Sequence, residues 1–508
     1  MTKLRTTTYT VLATLLVLLT ANIPSLAASD TGSLPGFVER GMELWQVPGM
    51  AVTVVNSDQV LFQQGFGETA IENGRAIDEH TLFAIASTTK AMVAAAILIL
   101  ADEGKLSLDD PIVKHIPELH FSDPILTEQL MVRDLLAHRT GLPSTDFWTF
   151  FMGMPLDEQI RRLGAITPVA PMRTRLIYQN TMYELAGVLI ERVSGNSWDS
   201  FVRSRLWLPI GMNETFAARD RIGADLNRVT PYFSTGGKLT QAAWDIPADL
   251  AEAAGSVWSS IHDMGLWAQF LLRGGISSEG ERLVSSNSIE EMFKPQQLSS
   301  AADFYPTVAL TQPNWISYGL AWFQQDFQGR KIDFHTGSLS GLIAMIGLDR
   351  ANDRAVVALG NRDHAEMRHA ILWQVMDDTP AGEQRDWNRE IRDLYDDLAE
   401  QGEEGWQQTK QQRLKHSKPS LARKAYLGTY ESPAMGHITI EPDGRKMVLN
   451  AGSIRLPMTY WHLDTFLVEY PEWQLKEFAE FRIGPDGQID TLTLFGEDFK
   501  PIAEQGAE

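Results

Sequence analysis

The chain has 508 residues, which is too long for one ordinary domain and suits a large core with an appended unit. Its hydrophobic content of 44% is that of a globular protein, and its formal net charge of −21 disfavours nucleic acid or an anionic membrane surface as a partner. The absence of cysteine excludes disulfides, thiol nucleophiles and lipidation at a cysteine.

Residues 1–27 have the pattern of a secretory signal peptide. Lys3 and Arg5 give a basic start, and the run over residues 11–19 is mostly apolar. The small residues Ala27-Ala28 suit a signal peptidase, so we place the cleavage near residue 27. A membrane anchor is the alternative, but the apolar run is short for a span. We therefore expect a periplasmic or secreted protein with no stable membrane span after cleavage.

Residues 28–380 contain apolar patterns that predict the elements of a large core domain. Alternating apolar and polar residues predict a strand, apolar stripes or unbroken runs predict buried helices, and two apolar runs around a turn predict a hairpin. In chain order these elements are a strand over residues 50–62, a helix over 91–100, a helix over 183–193, and a hairpin of strands 343–348 and 355–359.

The composition changes near residue 380. Within residues 381–420, apolar residues from Trp387 to Leu398 recur at helical spacing among many charges, which predicts a charged helical linker. Over residues 421–508, short apolar runs alternate with Gly- and Asp-containing turns. This pattern predicts a small antiparallel sheet or barrel that forms a separate β-domain.

The motif Ser87-Thr88-Thr89-Lys90 is the first of three short motifs that together predict a serine acyl-transfer site. A serine hydroxyl is a poor nucleophile until a base takes its proton. A spacing of three places both side chains on one face of a helix. The apolar run that follows would desolvate Lys90 and lower its pKa, so that a neutral amine is available as the base. A surface Ser and Lys at a helix start is the alternative, which the apolar segments on both sides disfavour.

The second motif, Tyr178-Gln179-Asn180, directly precedes the second predicted helix. A tyrosine hydroxyl near a lysine ammonium can have a lowered pKa and can carry a proton to the leaving group, which makes Tyr178 the candidate partner of Lys90. The Asn180 amide can hold both Lys90 and a substrate carbonyl. Such triplets are common by chance, so this motif indicates a catalytic site only in combination with the other two motifs.

The third motif, His335-Thr336-Gly337, lies just before the predicted hairpin. We predict that His335 is a hydrogen-bonding or partly cationic group near a substrate carboxylate, and a structural histidine is the alternative. Gly337 would let a substrate backbone lie close to the strand edge. The backbone N–H groups of Ser338 and Ser87 could form an oxyanion hole.

Together these motifs resemble those of the serine β-lactamase and penicillin-binding superfamily, specifically its class C β-lactamase-like branch, peptidase family S12. The resemblance covers roughly residues 34–377 and includes the stretches 135–143, 254–260 and 318–323. It implies an α/β fold, namely an α/β/α sandwich beside a helical domain, with an acyl-enzyme on Ser87. It also implies that Lys90 and Tyr178 are the acid/base pair. The residues that it implies for the substrate groove are Asn180, His335, Thr336, Gly337 and Ser338.

The chain departs from many β-lactamases at His335, where those proteins have lysine. A histidine there resembles the D,D-peptidases, D-aminopeptidases and esterases of the family. The chain is also similar to the bacterial S12 peptidases that cut linearised microcystin, a peptide rich in D-amino acids. Residues 421–508 resemble the lipocalin-like β-domain of some S12 peptidases, which implies that this domain shapes the active-site cleft and can join subunits into a homo-oligomer.

These observations favour an exported serine hydrolase that cleaves short peptides with D- or otherwise unusual amino acids, with linearised microcystin as a candidate substrate. The alternatives are an esterase or β-lactamase on the same machinery, or a catalytically silent protein that binds peptidoglycan or peptides. We expect a small peptide substrate and no nucleic-acid partner, and we predict neither a metal nor a cofactor. We expect specificity to reside in loops such as residues 146–175 and 299–316.

Overall fold

The structure, a computed structural model, describes residues 33–502 except 151, 224, 236, 243–251, 340, 381–382, 453 and 471–474. The predicted signal peptide, residues 1–27, lies outside the described residues. Within the described ranges, none of the helices combines the length and the apolar character needed to cross a membrane.

The strands fall into two groups, one before and one after a long charged helix. The first group is β1 (Gly49–Val55), β2 (Val60–Gly67), β3 (Leu82–Ala84), β4 (Tyr232–Thr235), β5 (Lys238–Gln241), β6 (Trp258–Ser260), β7 (Gln297–Leu298), β8 (Ile316–Tyr318), β9 (Phe323–Phe327), β10 (Arg330–Leu339), β11 (Leu342–Asp349) and β12 (Arg354–Gly360). The second group is β13 (Gly428–Ser432), β14 (Gly436–Asp443), β15 (Lys446–Ala451), β16 (Ile454–His462), β17 (Thr465–Tyr470), β18 (Leu475–Ile483), β19 (Ile489–Leu494) and β20 (Glu497–Pro501).

The helices are concentrated between the strands of the first group. They are α1 (Leu34–Trp45), α2 (Thr89–Asp102), α3 (Pro124–Gln129), α4 (Val132–Leu136), α5 (Asp146–Phe150), α6 (Leu156–Arg162), α7 (Asn180–Ser194), α8 (Trp198–Val202), α9 (Leu208–Ile210), α10 (Glu252–Gly255), α11 (Ile261–Leu272), α12 (Ser286–Met292), α13 (Val308–Thr311), α14 (Met367–Met376) and α15 (Trp387–Gln412).

Eight strands form one antiparallel sheet in the order β2–β1–β12–β11–β10–β9–β8–β7. The early strand β1 pairs with the late strand β12, with Met50 opposite Gly360 and Val55 opposite Ala355. β11 and β12 are the two strands of the predicted hairpin, which is thereby confirmed. The sheet centre therefore joins parts of the sequence that are about three hundred residues apart.

Alternate residues along β1 belong to two different cores. Met50 and Val52 pack in a cluster with Trp373 of α14, whereas Ala51 packs in the cluster that contains Trp267 of α11. This alternation follows from the two-residue period of a strand that is buried on both faces. The sheet thus lies between two helical layers, as expected for the predicted α/β/α sandwich.

The prediction of a single strand over residues 50–62 is wrong, because a turn divides this segment into β1 and β2. The side-chain oxygen of Asn56 accepts hydrogen bonds from the backbone N–H groups of Asp58 and Gln59 at 3.0 Å and 2.8 Å. The backbone N–H of Asn56 donates to the carbonyl of Gln59. Asparagine favours such local bonds over a continued strand.

The two predicted helices are confirmed, and both are buried. Every residue of α2 from Thr89 to Leu100 is buried, which explains why this helix is apolar on all sides. α7 contains the predicted helix 183–193 and ends at Gly195, whose φ of 75° lies in the left-handed region that favours glycine. Since α7 packs against α2, the two helices bring their N-terminal motifs together.

The C-terminal strands β13 to β20 form a closed antiparallel barrel in which sequence neighbours pair in order, as predicted from the pattern of short apolar runs. α15 leads to it. The first turn of α15 packs in the core of the preceding domain, where Trp387 and Ile391 are fully buried and Asn388 donates to the carbonyl of Phe37 at 2.9 Å. The rest of the helix is mostly exposed.

Candidate active site

Ser87 lies in a tight 3₁₀ turn, Ala86–Thr88, between β3 and α2. Ala86 has a φ of 45°, in the left-handed region that residues with a Cβ seldom adopt. The hydroxyl of Thr88 donates to the carbonyl of Ile85 at 2.8 Å, and Gly255 lies directly against Ala86. These contacts hold a strained turn whose serine faces a cleft.

The Lys90 amine lies at the centre of the three sequence motifs. Its Nζ donates to the hydroxyl oxygen of Ser87 at 3.0 Å, to the side-chain oxygen of Asn180 at 2.7 Å and to the carbonyl of Ala254 at 2.7 Å. Three acceptors match the three protons of an ammonium group. When the amine is neutral, its lone pair can face Ser87, which is the geometry needed to take the proton of the serine hydroxyl.

Burial sets the protonation of Lys90. The side chain is fully buried, and desolvation lowers its pKa from 10.5 to about 7. The nearby carboxyl groups of Glu184 and Asp146 act in the opposite direction, but their effect is smaller. The prediction of a neutral lysine amine is therefore confirmed in direction, and the amine and ammonium forms are both populated near neutral pH.

We expect the kcat/KM of the enzyme to fall as the pH decreases through about 7, because protonated Lys90 has no lone pair with which to accept the serine proton. Below that pH the rate should decrease about tenfold per pH unit. The measurement is kcat/KM from about pH 5 to pH 9, with circular dichroism at each pH to show that the protein stays folded. A flat profile across this range would contradict the assignment of Lys90 as the base.

Tyr178 lies beside Lys90, whose Nζ is 5.0 Å from the centre of the tyrosine ring. The prediction that Lys90 lowers the pKa of this tyrosine is wrong. Burial raises the pKa of Tyr178 well above its ordinary value, and the nearby hydroxyl of Ser87 only partly opposes this shift. Ser87 is near without a formed bond, since the Tyr178 hydroxyl has no hydrogen-bond partner among the described residues. Tyr178 therefore keeps its proton and is suited to donate it.

Asn180 connects Lys90 to a carboxylate that the sequence motifs did not include. Its side-chain oxygen accepts from Lys90, and its Nδ2 donates to Oδ1 of Asp146 at 2.8 Å. Burial raises the pKa of Asp146, and Asn180 and Lys90 oppose this effect. Asp146 stands at the start of the segment 146–175 that was expected to carry specificity, but no local pattern pointed to this contact.

Glu184 is a second carboxyl group that sequence reasoning missed. It is buried in α7 and accepts hydrogen bonds from the backbone N–H groups of Ala253 and Ala254 at 3.1 Å and 3.2 Å. Burial raises its pKa to about 8. Since Lys90 donates to the Ala254 carbonyl, Glu184 fixes the backbone on which the lysine rests. A glutamate within an apolar helical stretch was the available signal.

His138 packs against the ring of Tyr178 in the second motif. Its ring lies 4.1 Å from that of Tyr178 and 5.0 Å from that of Tyr318. Its Nδ1 accepts a hydrogen bond from the backbone N–H of Gln179 at 3.1 Å, and burial lowers its pKa well below the ordinary value. A neutral His138 therefore holds the backbone between Tyr178 and Asn180. The residue stands within the signature stretch 135–143, which was its signal in the sequence.

His335 is buried in β10 and carries no charge at neutral pH. Its Nδ1 lies 2.6 Å from the carbonyl of Thr336 and its Nε2 lies 3.0 Å from the hydroxyl of Tyr318. A carbonyl can only accept, so Nδ1 carries the proton and Nε2 accepts from the tyrosine. Burial lowers the pKa of His335 to about 3. The hydrogen-bonding role is thus correct, whereas the prediction of a partly cationic histidine is wrong.

The structure gives a reason for glycine at position 337 that the sequence motif did not predict. A Cβ at this position would collide with the carbonyl oxygen of Ile85 and lie 3.1 Å from the backbone nitrogen of Ser87. The missing side chain therefore lets β10 approach the Ser87 turn, and room for a substrate backbone beside Gly337 stays a prediction. The next residue, Ser338, accepts a hydrogen bond from Nη1 of Arg368 at 2.7 Å.

We expect Gly337→Ala to destabilise the protein by about 1–3 kcal/mol, because the added methyl group overpacks a backbone contact. Displacement of the Ser87 turn should also reduce acylation of Ser87 by about tenfold or more. Thermal unfolding and the rate of reaction with a covalent serine probe measure the two effects. Gly402→Ala, in an open position on α15, is the control. Equal behaviour of the two variants would contradict the close approach described above.

A cleft of about 700 Å³ opens in front of Ser87. Its walls combine an aromatic side with a polar side, and both segments that were expected to carry specificity contribute to it. The lining residues are Ser87, Pro143, Ser144, Val169, Arg175, Leu176, Ile177, Tyr178, Asp303, Phe304, Tyr305, Phe323, Thr336, Ser338 and Arg368. Of the predicted groove residues, Thr336 and Ser338 are among them, and the hydroxyl of Thr336 bonds to that of Tyr305.

The two guanidinium groups of the cleft wall are each paired with a carboxylate. Arg175 binds Asp303 with Nη2 at 2.6 Å from Oδ1. Arg368 is largely buried and binds Glu366 through Nε and Nη2 at 3.0 Å and 2.9 Å. These pairs reduce the net positive charge that the wall presents to a substrate.

Comparison with known families agrees with this geometry. The family model described as Beta-lactamase matches residues 36–381, and a model described as a domain of unknown function, DUF3471, matches residues 412–505. The first match spans more than half of the chain. The chain therefore belongs to the β-lactamase family of serine hydrolases, as the motifs predicted.

The relatives include proteins with hydrolase names. The chain is 27% identical over 504 residues to the unguisins hydrolase ungD′ of Aspergillus campestris (strain IBT 28561), covering 91% of this chain and 88% of that protein. The octameric penicillin-binding protein homologue from Pyrococcus abyssi matches with a TM-score of 0.61 and 23% identity over 92% of this chain and 99% of that chain.

A third similar protein is the D-amino acid amidase from Ochrobactrum anthropi SV3, solved in complex with L-phenylalanine amide. It matches with a TM-score of 0.54 and 23% identity over 68% of this chain and 96% of that chain. The two structural likenesses concern the fold. Together with the family match, they confirm the predicted β-lactamase-like α/β fold followed by a separate β-domain.

Proposed function

We propose that this protein hydrolyses short peptides through an acyl-enzyme on Ser87. The observation that carries the proposal is the buried Lys90 amine, which lies 3.0 Å from the Ser87 hydroxyl and has a pKa of about 7. A base with a pKa near the working pH combines an adequate neutral fraction with sufficient basicity. A surface lysine at a helix start, the alternative considered above, would be exposed and charged.

The acylation step uses three groups of the site. Neutral Lys90 takes the proton of Ser87 as the serine oxygen forms a bond to the substrate carbonyl carbon, and the carbonyl electron pair moves to its oxygen. The backbone N–H groups of Ser87 and Ser338 are the proposed donors to that oxyanion. The close approach of the preceding residue, Gly337, to the Ser87 turn supports this pair of donors.

The leaving amine needs a proton, and Tyr178 is the proposed donor. As the carbon–nitrogen bond breaks, the tyrosine hydroxyl gives its proton to the amine and is reprotonated from the Lys90 ammonium. The raised pKa of Tyr178 keeps this proton in place until it is needed. Water then gives a proton to Lys90 as it attacks the ester carbonyl, and the Lys90 ammonium passes this proton to the Ser87 oxygen as the acid product leaves.

A free strand edge supports a peptide as the substrate. β10 pairs with β11 from Asp333 to Leu339, but on its other side it pairs with β9 only from Arg330 to Phe334. Within the described part of β10, residues 335–339 thus have no strand on that side. An extended peptide can add to such an edge through main-chain hydrogen bonds.

The aromatic side of the cleft supports an apolar side chain next to the scissile bond. Phe304, Tyr305 and Phe323 form a packed group, with 4.8 Å between the ring centres of Tyr305 and Phe323. Aromatic walls of this kind bind apolar and aromatic groups. The names of the relatives, a hydrolase of unguisins and a D-amino acid amidase, support a peptide or amide with unusual or D-configured residues. Linearised microcystin stays a candidate on the resemblance of the sequence alone.

An esterase or a β-lactamase on the same machinery and a silent binding protein are the competing functions. Uncharged His335 offers no cation for the carboxylate of a β-lactam, and both arginines of the cleft wall are already paired. We therefore expect a β-lactam to be turned over poorly. The Ser87–Lys90–Tyr178 arrangement argues against a silent protein, because a binding site needs no desolvated base.

The test is to measure hydrolysis of matched short peptides with L- or D-residues at the cleaved bond, short-chain esters and a β-lactam under the same conditions. We expect the highest kcat/KM on a peptide with a D- or unusual residue, and none with the Ser87→Ala variant. Esters or a β-lactam turned over better than every peptide would favour the corresponding alternative. Failure of a covalent serine probe to label Ser87 would favour the binding protein.

We also propose export, on the basis of the basic start, apolar run and small residues of residues 1–27. The full-length chain expressed in a bacterium should appear in the periplasm or medium with a new N-terminus near residue 28. N-terminal sequencing of the recovered protein measures this. A cytoplasmic protein that keeps Lys3 and Arg5 would contradict the proposal.

The oligomeric state is a further proposal. The penicillin-binding protein homologue from Pyrococcus abyssi is octameric, and it matches the chain over both domains. We propose that this protein also forms a homo-oligomer, joined through its C-terminal barrel. Light scattering on the purified full chain tests this, and a monomer at concentrations well above those used for activity would contradict it.

A further inference from the structure

Helix α5 stands between the catalytic lysine network and the C-terminal barrel. It has five residues, so it makes little more than one turn and depends on packing for its position. Its first residue, Asp146, binds Asn180, while the next two residues, Phe147 and Trp148, pack toward the barrel. We propose that the barrel is a positioning element of the active site, which fixes α5 so that Asp146 holds Asn180 in contact with Lys90.

The barrel end of this connection is well defined. Trp148 is fully buried, and its Nε1 donates to the carbonyl of Ala434 in the β13–β14 turn at 3.0 Å. The ring of Phe147 lies 4.4 Å from that of Phe495 in the β19–β20 turn. Arg162 of α6 donates to the carbonyl of Pro433 at 2.8 Å. Two turns of the barrel therefore clamp the α5–α6 segment.

At the active site, the connection from the barrel through α5 depends on the orientation of the Asn180 side-chain amide. The Asp146 carboxylate can only accept, so it binds the Nδ2 of Asn180 and directs the amide oxygen toward Lys90. Without this acceptor, the amide could turn its NH₂ group toward Lys90, and the contact would be lost. Asp146 is thus a positioning residue that acts through Asn180 and does not itself reach Ser87.

Asp146 also acts on Lys90 through its charge. It raises the pKa of Lys90, as does Glu184, whereas burial lowers it. Near pH 7 the other titratable groups around the lysine carry little charge. They are the carboxyl of Glu184, whose pKa burial raises to about 8, the imidazoles of His138 and His335, and the hydroxyls of Tyr178 and Tyr183. Removal of the Asp146 charge should therefore lower the pKa of Lys90 and move the acid limb of the rate profile to lower pH.

This inference rests on the proposed function, since it concerns the same lysine and serine. The experiment uses the full-length protein and the rate at which a fluorophosphonate probe acylates Ser87. The variants are Asp146→Ala, Asp146→Asn, Phe495→Ala and the double variant Asp146→Ala with Phe495→Ala. Arg423→Ala is the control, because Arg423 donates to the barrel carbonyls of Gly444 and Lys446 and takes no part in the α5 contacts described above.

We expect Asp146→Ala to slow acylation by about ten- to a hundredfold, because a small displacement of a catalytic group has effects of this size. Asp146→Asn should reduce the acylation rate much less, since its side-chain oxygen still accepts a hydrogen bond from Asn180. The decrease of its rate with falling pH should, however, occur at a lower pH than in the wild type. Phe495→Ala should slow acylation less than Asp146→Ala does, and it should add nothing in the double variant, because both changes act on the same contact. Arg423→Ala should behave like the wild type.

Three outcomes would overturn the proposal, provided that circular dichroism shows folded variants. They are an unchanged rate in Asp146→Ala, effects of Asp146→Ala and Phe495→Ala that simply add, and an acid limb that does not move in Asp146→Asn. A failure of the proposed function looks different, because the wild-type protein would then show no acylation of Ser87 at all.

Discussion

Replacing Ser87 with alanine will abolish turnover and leave the fold intact. The loss should amount to about four to six orders of magnitude in kcat, because the variant lacks the hydroxyl that is proposed to form the acyl-enzyme. Stability should change by about 1 kcal/mol or less, since Ser87 is not a capping residue: Ile85 precedes the 3₁₀ turn and Thr88 precedes α2. Lys90 keeps Asn180 and the Ala254 carbonyl as hydrogen-bond partners in the variant.

The measurement is kcat on the best substrate, together with thermal unfolding of both proteins. Ser200→Ala, at an exposed position on α8, is the matched control and should keep full activity. A folded Ser87→Ala variant with turnover near that of the wild type would show that another nucleophile does the chemistry. The whole mechanism proposed above would then be wrong.

Replacing Lys90 with methionine should have the second largest effect. Methionine has a similar length but no basic group, so the general-base contribution of about two to four orders of magnitude is lost. The Asn180 oxygen and the Ala254 carbonyl lose a donor, at about 1–3 kcal/mol for each buried group left unpaired. Relief from burying a charged amine opposes this loss, so we expect a folded variant.

The pH profile distinguishes the loss of a base from general damage. Any residual activity of Lys90→Met should no longer fall as the pH decreases through about 7, because the group responsible for that limb is gone. Lys105→Met changes a partly exposed lysine just beyond the same helix. This variant should keep the wild-type rate and its decrease as the pH falls through about 7. If the activity of Lys90→Met still decreased as the pH falls through about 7, a group other than Lys90 would be responsible for that decrease.

Local sequence patterns predicted the parts of the site that lie next to each other in the chain. The spacing of Ser87 and Lys90 and the apolar run after them gave both the helix α2 and the lowered pKa of the lysine. The pattern after Tyr178 gave α7, and the runs around residues 349–354 gave the β11–β12 hairpin. In each case one short segment contained the whole signal.

Contacts between distant segments could not be predicted in this way. Asp146 binds Asn180 across 34 positions, and Trp148 binds Ala434 across 286 positions, and neither contact leaves a periodic pattern. The two wrong pKa expectations have the same origin. The sequence placed a cation near Tyr178 and a substrate near His335, but the degree of burial that decides both values depends on the whole fold.

The most direct test of the central claim is to trap the acyl-enzyme. The full-length protein would be mixed with a slowly deacylating ester or peptide analogue, quenched in acid and analysed by mass spectrometry before and after proteolysis. We predict a mass increase equal to one acyl group, located on Ser87 and absent from Ser87→Ala. Rapid substrate turnover with no adduct under any quench time, or an adduct on another residue, would contradict the account.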